Sequence, residues 1–270
     1  LVYDGCARIY PQVESVGMPA SIINWLQTAS WPTLSLAFLI ENLIIFLLVI
    51  IVGNLVAARF RARRVSLKPD ALTKTEIIVA LVNVVFNTAT TLAGLFLWRL
   101  GIIRFRTDVG LRALLDIFVL LLAMDLLMYV LHRLAHTRLL YPILHQFHHR
   151  YERVRPLTLF ALSPVENLAF GGLWLAFISV YSASWLGMSV YLFLNVAFGA
   201  IGHLGVEPFP RSWARHPVMK YVAGGSFHVQ HHQDMKHNFG FYSLIWDRLW
   251  GTVRPDYAES FGTVPAGVRK

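Results

Sequence analysis

One cysteine, Cys6, stands in 270 residues, so no intrachain disulfide forms and no thiolate set holds zinc or an iron–sulfur cluster. Charge is also scarce: 14 % of the chain is charged and 56 % apolar, against about a quarter charged in soluble domains. That shortage excludes an ordinary soluble fold and points to a membrane protein. The HExxH pattern of zinc hydrolases is missing, as are the carboxylate-rich Glu and ExxH sets of soluble di-iron bundles. Residues 1 to 30 lack the basic start and short apolar core of a secretory signal, and a native start is expected upstream of Leu1. With no internal repeat or low-complexity tract, the chain reads as one domain, 1–270.

What is present is long apolar runs. Ile77 to Trp98 holds 22 residues without a charge, enough to cross a hydrocarbon core of about 30 Å at about 1.5 Å per residue. Leu34 to Ala58, interrupted by Glu41 and Asn42, and Ala113 to Leu131, containing Asp116 and Asp125, predict two further spans. A pair of apolar arms, 165–181 and 185–201, reads as a helical hairpin that dips into or crosses the membrane. The fold class expected is all-α: an integral membrane helical bundle with a histidine-rich cap built from 132–164 and 202–256.

If these segments all cross, 19 of the 24 Lys and Arg fall on the side that bears every histidine, which the positive-inside rule makes cytoplasmic. The net charge of +9 is therefore explained by topology. The basic residues are spread over loops beside spans, not gathered on a soluble face, and nucleic acid is not an expected partner.

The histidines carry the chemistry. His132 and His136 form HxxxH; His145, His148 and His149 form HxxHH; His228, His231 and His232 form it again. Two HxxHH matches arise by random placement with a probability on the order of 1 in 10,000. Residues i, i+3 and i+4 lie on one helical face, so their imidazoles can converge on an ion. Pro142 suits the first turn of a helix carrying His145. Gly224, Gly225 and Ser226 suit a break and cap before His228. Eight neutral ligands point to two metals, and imidazole suits iron, zinc, copper and nickel alike. Asp125, seven residues before His132 on nearly the same face, is expected to accept a ring N–H of a ligating histidine. His237, five residues after His232, lies off that face and joins the ligands only through a bend.

In order and spacing, this chain resembles the membrane-bound fatty acid hydroxylase and sterol desaturase superfamily. The resemblance covers about 112–256. It rests on Asp125, Tyr129, His132, Arg133 and His136, the two HxxHH triplets, Asn238, Phe239 and Gly240, and the closing Trp246, Asp247, Arg248, Gly251 and Thr252. It implies a di-iron site, molecular oxygen as oxidant and a lipid-like substrate entering from the bilayer. It also adds His203 to the ligands and marks Glu166, Asn195 and Asn238 as polar residues supporting the metal. Many relatives carry a His-Pro pair just before the position of Glu166. Ser163 and Pro164 stand there in this chain, so no extra ligand is expected.

The expected function is an oxygen-dependent monooxygenase that hydroxylates a C–H bond of a membrane lipid, with no side-chain nucleophile. Desaturation on the same site is the alternative. Electrons are expected from a separate ferredoxin-like or cytochrome-like protein, since no haem, flavin or iron–sulfur motif occurs. A metal-dependent lipid hydrolase and a metal transporter or sensor are rivals of other classes. A bacterial inner membrane is a compatible setting.

Overall fold

The computed structural model describes residues 19–264; Cys6 lies outside them. Ten α-helices follow one another: α1 Ala20–Thr28, α2 Trp31–Arg59, α3 Lys74–Arg99, α4 Leu111–Ala135, α5 Tyr141–Leu144, α6 Pro164–Val180, α7 Trp185–Gly202, α8 Gly225–Gln233, α9 Ile245–Leu249 and α10 Tyr257–Ser260. Among the described residues there is no β-strand, only three isolated bridges. The chain is an all-α membrane bundle, and α2, α3, α4 and α7 are each long and apolar enough to cross a bilayer.

Local chemistry sets where these helices begin. Ser30, Thr73, Ser163 and Ser184 each cap a helix by accepting the backbone N–H three residues on, from Thr33, Glu76, Glu166 and Gly187. Pro32 and Pro164 occupy first turns, where a missing N–H costs nothing.

The arms of the α6–α7 hairpin had left open a shallow, re-entrant course. The hairpin tip packs on the start of α4. Asp116, near the start of α4, accepts hydrogen bonds from the Ser184 backbone N–H (2.8 Å) and the Tyr181 hydroxyl (2.7 Å), and pairs with Arg106 at 2.7 Å. The tip therefore meets the far ends of α3 and α4, and both arms run the length of the bundle. All five long helices place one end beside the histidine cap.

Buried asparagines fasten the cap to the spans. Asn83 of α3 donates to the carbonyls of Phe160 and Leu162, each at 2.8 Å, and accepts from Asn167 of α6 at 2.9 Å. The short 3-10 turn Pro156–Phe160 is thereby held against α2 and α3. Its Pro156 packs on Gly53, where an added Cβ would lie 2.8 Å from the proline ring. An apolar core of Leu120, Met124, Met128, Tyr191 and Tyr242, extended by Phe198 and Phe241, fills the bundle between α4, α6 and α7.

Candidate metal centre

Three stretches of chain carry eight histidines to one place. His132 occupies the last turn of α4 and His136 caps it. The first HxxHH triplet departs from the expected helix: α5 begins at Tyr141 beside Pro142 but ends at Leu144, and His148–Arg150 forms a 3-10 turn. Tertiary anchors override helix continuation, because His145 and His148 are pulled to acceptors on separate elements. The bond from the His149 N–H to the His145 carbonyl (3.2 Å) still keeps those two residues one turn apart. The second triplet does lie on a helix, α8. Its cap is Gly224 without a side-chain bond. The buried carboxylate of Glu207 instead accepts the Ser226 N–H at 2.8 Å, a capping role absent from the sequence reading. His203, the C-cap of α7, arrives from a fourth element.

The nine rings sort into two groups, each with ligand nitrogens within 4.8 Å of one another: His132, His136, His145, His149 and His231, then His148, His203, His228 and His232. Each HxxHH triplet is split. Its i and i+4 members share a group, and the i+3 member goes to the other. Within the groups Nε2 faces Nε2: His132 to His145 at 2.9 Å, His136 to His231 at 3.0 Å, His149 to His231 at 3.1 Å, His203 to His148 at 3.3 Å, and His228 to His203 and to His232 at 3.1 Å each.

The other ring nitrogen decides what those contacts are. Nδ1 of His132 lies 2.9 Å from the Phe239 carbonyl, and Nδ1 of His231 lies 2.7 Å from that of His237. Nδ1 of His203 lies 2.7 Å from the Gly199 carbonyl, that of His148 3.3 Å from Ala161, and that of His145 2.5 Å from the carboxylate of Glu166. Carbonyl and carboxylate oxygens only accept, so in these five rings Nδ1 holds the proton and Nε2 is a bare lone pair, on both sides of the His132–His145 and His148–His203 contacts. Two lone pairs about 3 Å apart cannot hydrogen-bond. Two ligands at right angles and about 2.1 Å from one ion stand at that separation. The residues present therefore fit metal ions.

Electrostatics agrees. Removal from water, with neighbouring imidazoles adding to it, holds His145, His148, His228, His231 and His232 well below the usual histidine range. Burial likewise pushes His136 down to about 2, His149 to about 3 and His203 to about 4. The cluster is neutral at physiological pH, the form that binds a cation.

The supporting residues fall differently from expectation. Glu166 sits on His145, where a carboxylate fixes the tautomer. Asp125 touches no histidine. Seven residues of helix put it about 10 Å below His132, and it accepts instead from the Tyr242 N–H (2.7 Å), the Phe241 N–H (3.2 Å) and the Ser243 hydroxyl (2.5 Å). Asn195 accepts the Tyr242 hydroxyl at 2.6 Å, inside the apolar bundle. Asn238 bonds the Phe227 carbonyl and the Arg254 N–H, not a ring. The His237 imidazole lies outside both groups, on Asp234 at 2.8 Å, because α8 ends at Gln233 and the chain turns away; only its carbonyl reaches the site. Sequence reasoning gave Asp247 no role. Its buried carboxylate accepts the N–H groups of Phe239 (2.8 Å) and Gly240 (2.7 Å), and its place in the closing WDR run was the available signal.

Comparison with known proteins places this arrangement. The profile of the fatty acid hydroxylase family matches residues 117–252, half of the chain. The chain is similar to a cholesterol 25-hydroxylase-like protein of Danio rerio, 32 % identical over 151 residues, which are 53 % of this chain and 57 % of that protein. It is similar to a Delta(7)-sterol 5(6)-desaturase of Leptosphaeria maculans, 26 % identical over 51 % of this chain and 36 % of that one. It is also similar to a very-long-chain aldehyde decarbonylase of Oryza sativa subsp. indica, 29 % identical over 54 % and 25 %. The chain thus spans between a quarter and just over half the length of these relatives. No solved structure matches it.

Proposed function

The chain belongs to the fatty acid hydroxylase family, and on that footing we propose that it is a di-iron, oxygen-dependent monooxygenase hydroxylating a C–H bond of a lipid-like molecule. The observation that carries this reading is the facing of bare Nε2 lone pairs in two histidine groups at one end of an apolar bundle. His132, His136, His145, His149 and His231 would hold one iron, and His148, His203, His228 and His232 the other. When bound, the irons supply the redox chemistry with oxygen that side chains lack.

The chain's own part is to bind, orient and exclude water. Seven of the nine rings are buried, and His136 and His228 are half-buried, which keeps bulk water from the reacting carbon. A narrow cavity of about 10 Å³ touches His203 and His228 and is walled by Gly199, Gly202, Phe198 and Phe241. Phe198 and Phe241 also belong to the apolar core between α4, α6 and α7. An acyl or sterol carbon drawn from the bilayer is proposed to approach the second group along this side, after the aromatic walls part. No side chain forms a bond to the substrate.

Replacing C–H by C–OH with one oxygen molecule also makes water, consuming two electrons and two protons. A separate ferredoxin-like or cytochrome-like carrier is proposed to deliver the electrons. If all the apolar segments cross, the sequence assigns 19 of its 24 Lys and Arg to the histidine side, which favours a cytoplasmic placement and an acidic partner.

The test is elemental analysis of protein purified without oxygen, followed by mass spectrometry of membrane lipids after oxygen and a reductant are supplied. About two irons per chain, one for each histidine group, and a product heavier by one oxygen atom are expected. Loss of two hydrogens would make the enzyme a desaturase. Zinc with oxygen-independent turnover would overturn the proposal in favour of a hydrolase.

A further inference from the structure

Asn238 is the only non-glycine residue with a left-handed backbone among the described residues, at φ +62°. It stands between the two carbonyls that anchor the five-histidine group. His237, before it, accepts Nδ1–H of His231 at 2.7 Å, and Phe239, after it, accepts Nδ1–H of His132 at 2.9 Å. Moving φ into the usual negative range rotates the chain after Asn238 against the chain before it, so only one carbonyl could stay on its histidine. Asparagine tolerates the left-handed region better than other residues with a side chain. Here it is also locked in place. Its amide donates to the Phe227 carbonyl (3.0 Å), its Oδ1 accepts from the Arg254 N–H (2.9 Å), and its own N–H donates to Thr252 (2.8 Å).

We infer that Asn238 is a positioning residue whose left-handed backbone fixes the tautomers of His132 and His231 together, and so sets metal retention in the five-histidine group alone. The inference rests on the reading of both groups as metal sites. The four-histidine group takes its anchors elsewhere, from the carbonyls of Gly199 on α7 and Ala161 beyond the 3-10 turn. It also explains how His237 serves the site with its imidazole turned away.

The experiment loads the purified full chain with zinc, challenges it with a chelator and counts metal per folded chain, with gel filtration and circular dichroism reporting the fold. Loss of a ligand's orienting partner costs about 10- to 100-fold in metal affinity, and two partners are disturbed at once here. Wild type, Asn238→Gly and His237→Ala are expected to keep about two ions, Asn238→Val about one, and Asn238→Val with His203→Ala almost none. Glycine rescues because it restores the backbone hand while removing the side chain. If Asn238→Val does not fold, Asn238→Ala against Asn238→Gly makes the same comparison. Full retention by folded Asn238→Val or Asn238→Ala overturns the inference, as does equal loss in the glycine variant or loss in His237→Ala. A wild type that binds no metal overturns the proposed function as well. A wild type that holds two zinc ions yet, reloaded with iron and given oxygen and a reductant, never oxidises a lipid overturns that function alone.

Discussion

Nε2 of His132 and Nε2 of His145 lie 2.9 Å apart, and each ring gives its Nδ1 proton to another acceptor, the Phe239 carbonyl and the Glu166 carboxylate. Two lone pairs at that distance repel each other unless a cation lies between them. A bound ion removes that repulsion, so metal binding is linked to stability. Metal at about a hundred times its dissociation constant is expected to stabilise the fold by about 2.7 kcal/mol. Thermal unfolding in detergent with and without a chelator measures this, and an unchanged midpoint would contradict metal binding.

Glu166 offers a sharper test, because it is the only carboxylate seen on a cluster ring among the described residues. Its Oε1 lies 2.5 Å from His145 Nδ1, and both side chains are buried. Glu166→Ala removes the acceptor and is expected to weaken metal binding about 10- to 100-fold, while Glu166→Gln, which keeps a neutral acceptor, loses less. Competition against a chromogenic chelator ranks the variants. Equal affinities for all three would remove Glu166 from the site.

Acid is expected to unfold the metal-free protein. Burial lowers His136, His149 and His203 to about 2, 3 and 4 in the folded state, against about 6.5 when unfolded. As pH falls below about 6.5 the unfolded chain takes up protons that the folded chain refuses, so stability drops by up to about 1.4 kcal/mol per pH unit for each such group. Above pH 7 both states are neutral at these rings, and they add no slope. Denaturant midpoints of the chelated protein between pH 7 and pH 4 read this directly. A flat profile would mean that the rings are open to water.

The three histidine motifs were legible because i and i+4 stay one turn apart even where α5 gives way to a 3-10 turn. Their division into two groups was not, since it depends on where that helix breaks and on α7 delivering His203. Most anchors of the rings were hidden for a simpler reason: the carbonyls of Gly199, His237 and Phe239 are backbone atoms and carry no residue signature. Asp125 shows the reverse case. Its spacing suggested a bond to a ring N–H of a ligating histidine, but two helical turns separate it from His132, and the loop 241–243 takes its oxygens instead.

Gly240 is where that loop tolerates no side chain: a Cβ there would lie 2.3 Å from the Ser243 carbonyl and 2.7 Å from Asp247 Oδ2. Gly240→Ala is expected to displace the turn and reduce both folded yield and metal content. Gly172 of α6 has nothing within 4 Å of its added Cβ. Gly172→Ala should therefore be neutral or stabilising by roughly 0.5–1 kcal/mol through helix propensity alone. Purifying both side by side separates crowding at the turn from a general intolerance of substitution.

Asp125 ties that same loop to α4 by accepting three backbone N–H groups and the Ser243 hydroxyl. Asp125→Leu keeps the bulk and strands these donors, each at about 1–3 kcal/mol if left unpaired. Part of the cost is expected to appear in the metal site, because Phe239, the anchor of His132, is only two residues from Phe241. Asp125→Asn keeps one carbonyl acceptor and should fall between. If Asp125→Leu lowered stability but left chelator resistance at the wild-type level, the loop would be a structural brace independent of His132. Parallel loss of both would show that α4 holds its own ligand in register through the loop it anchors two turns below.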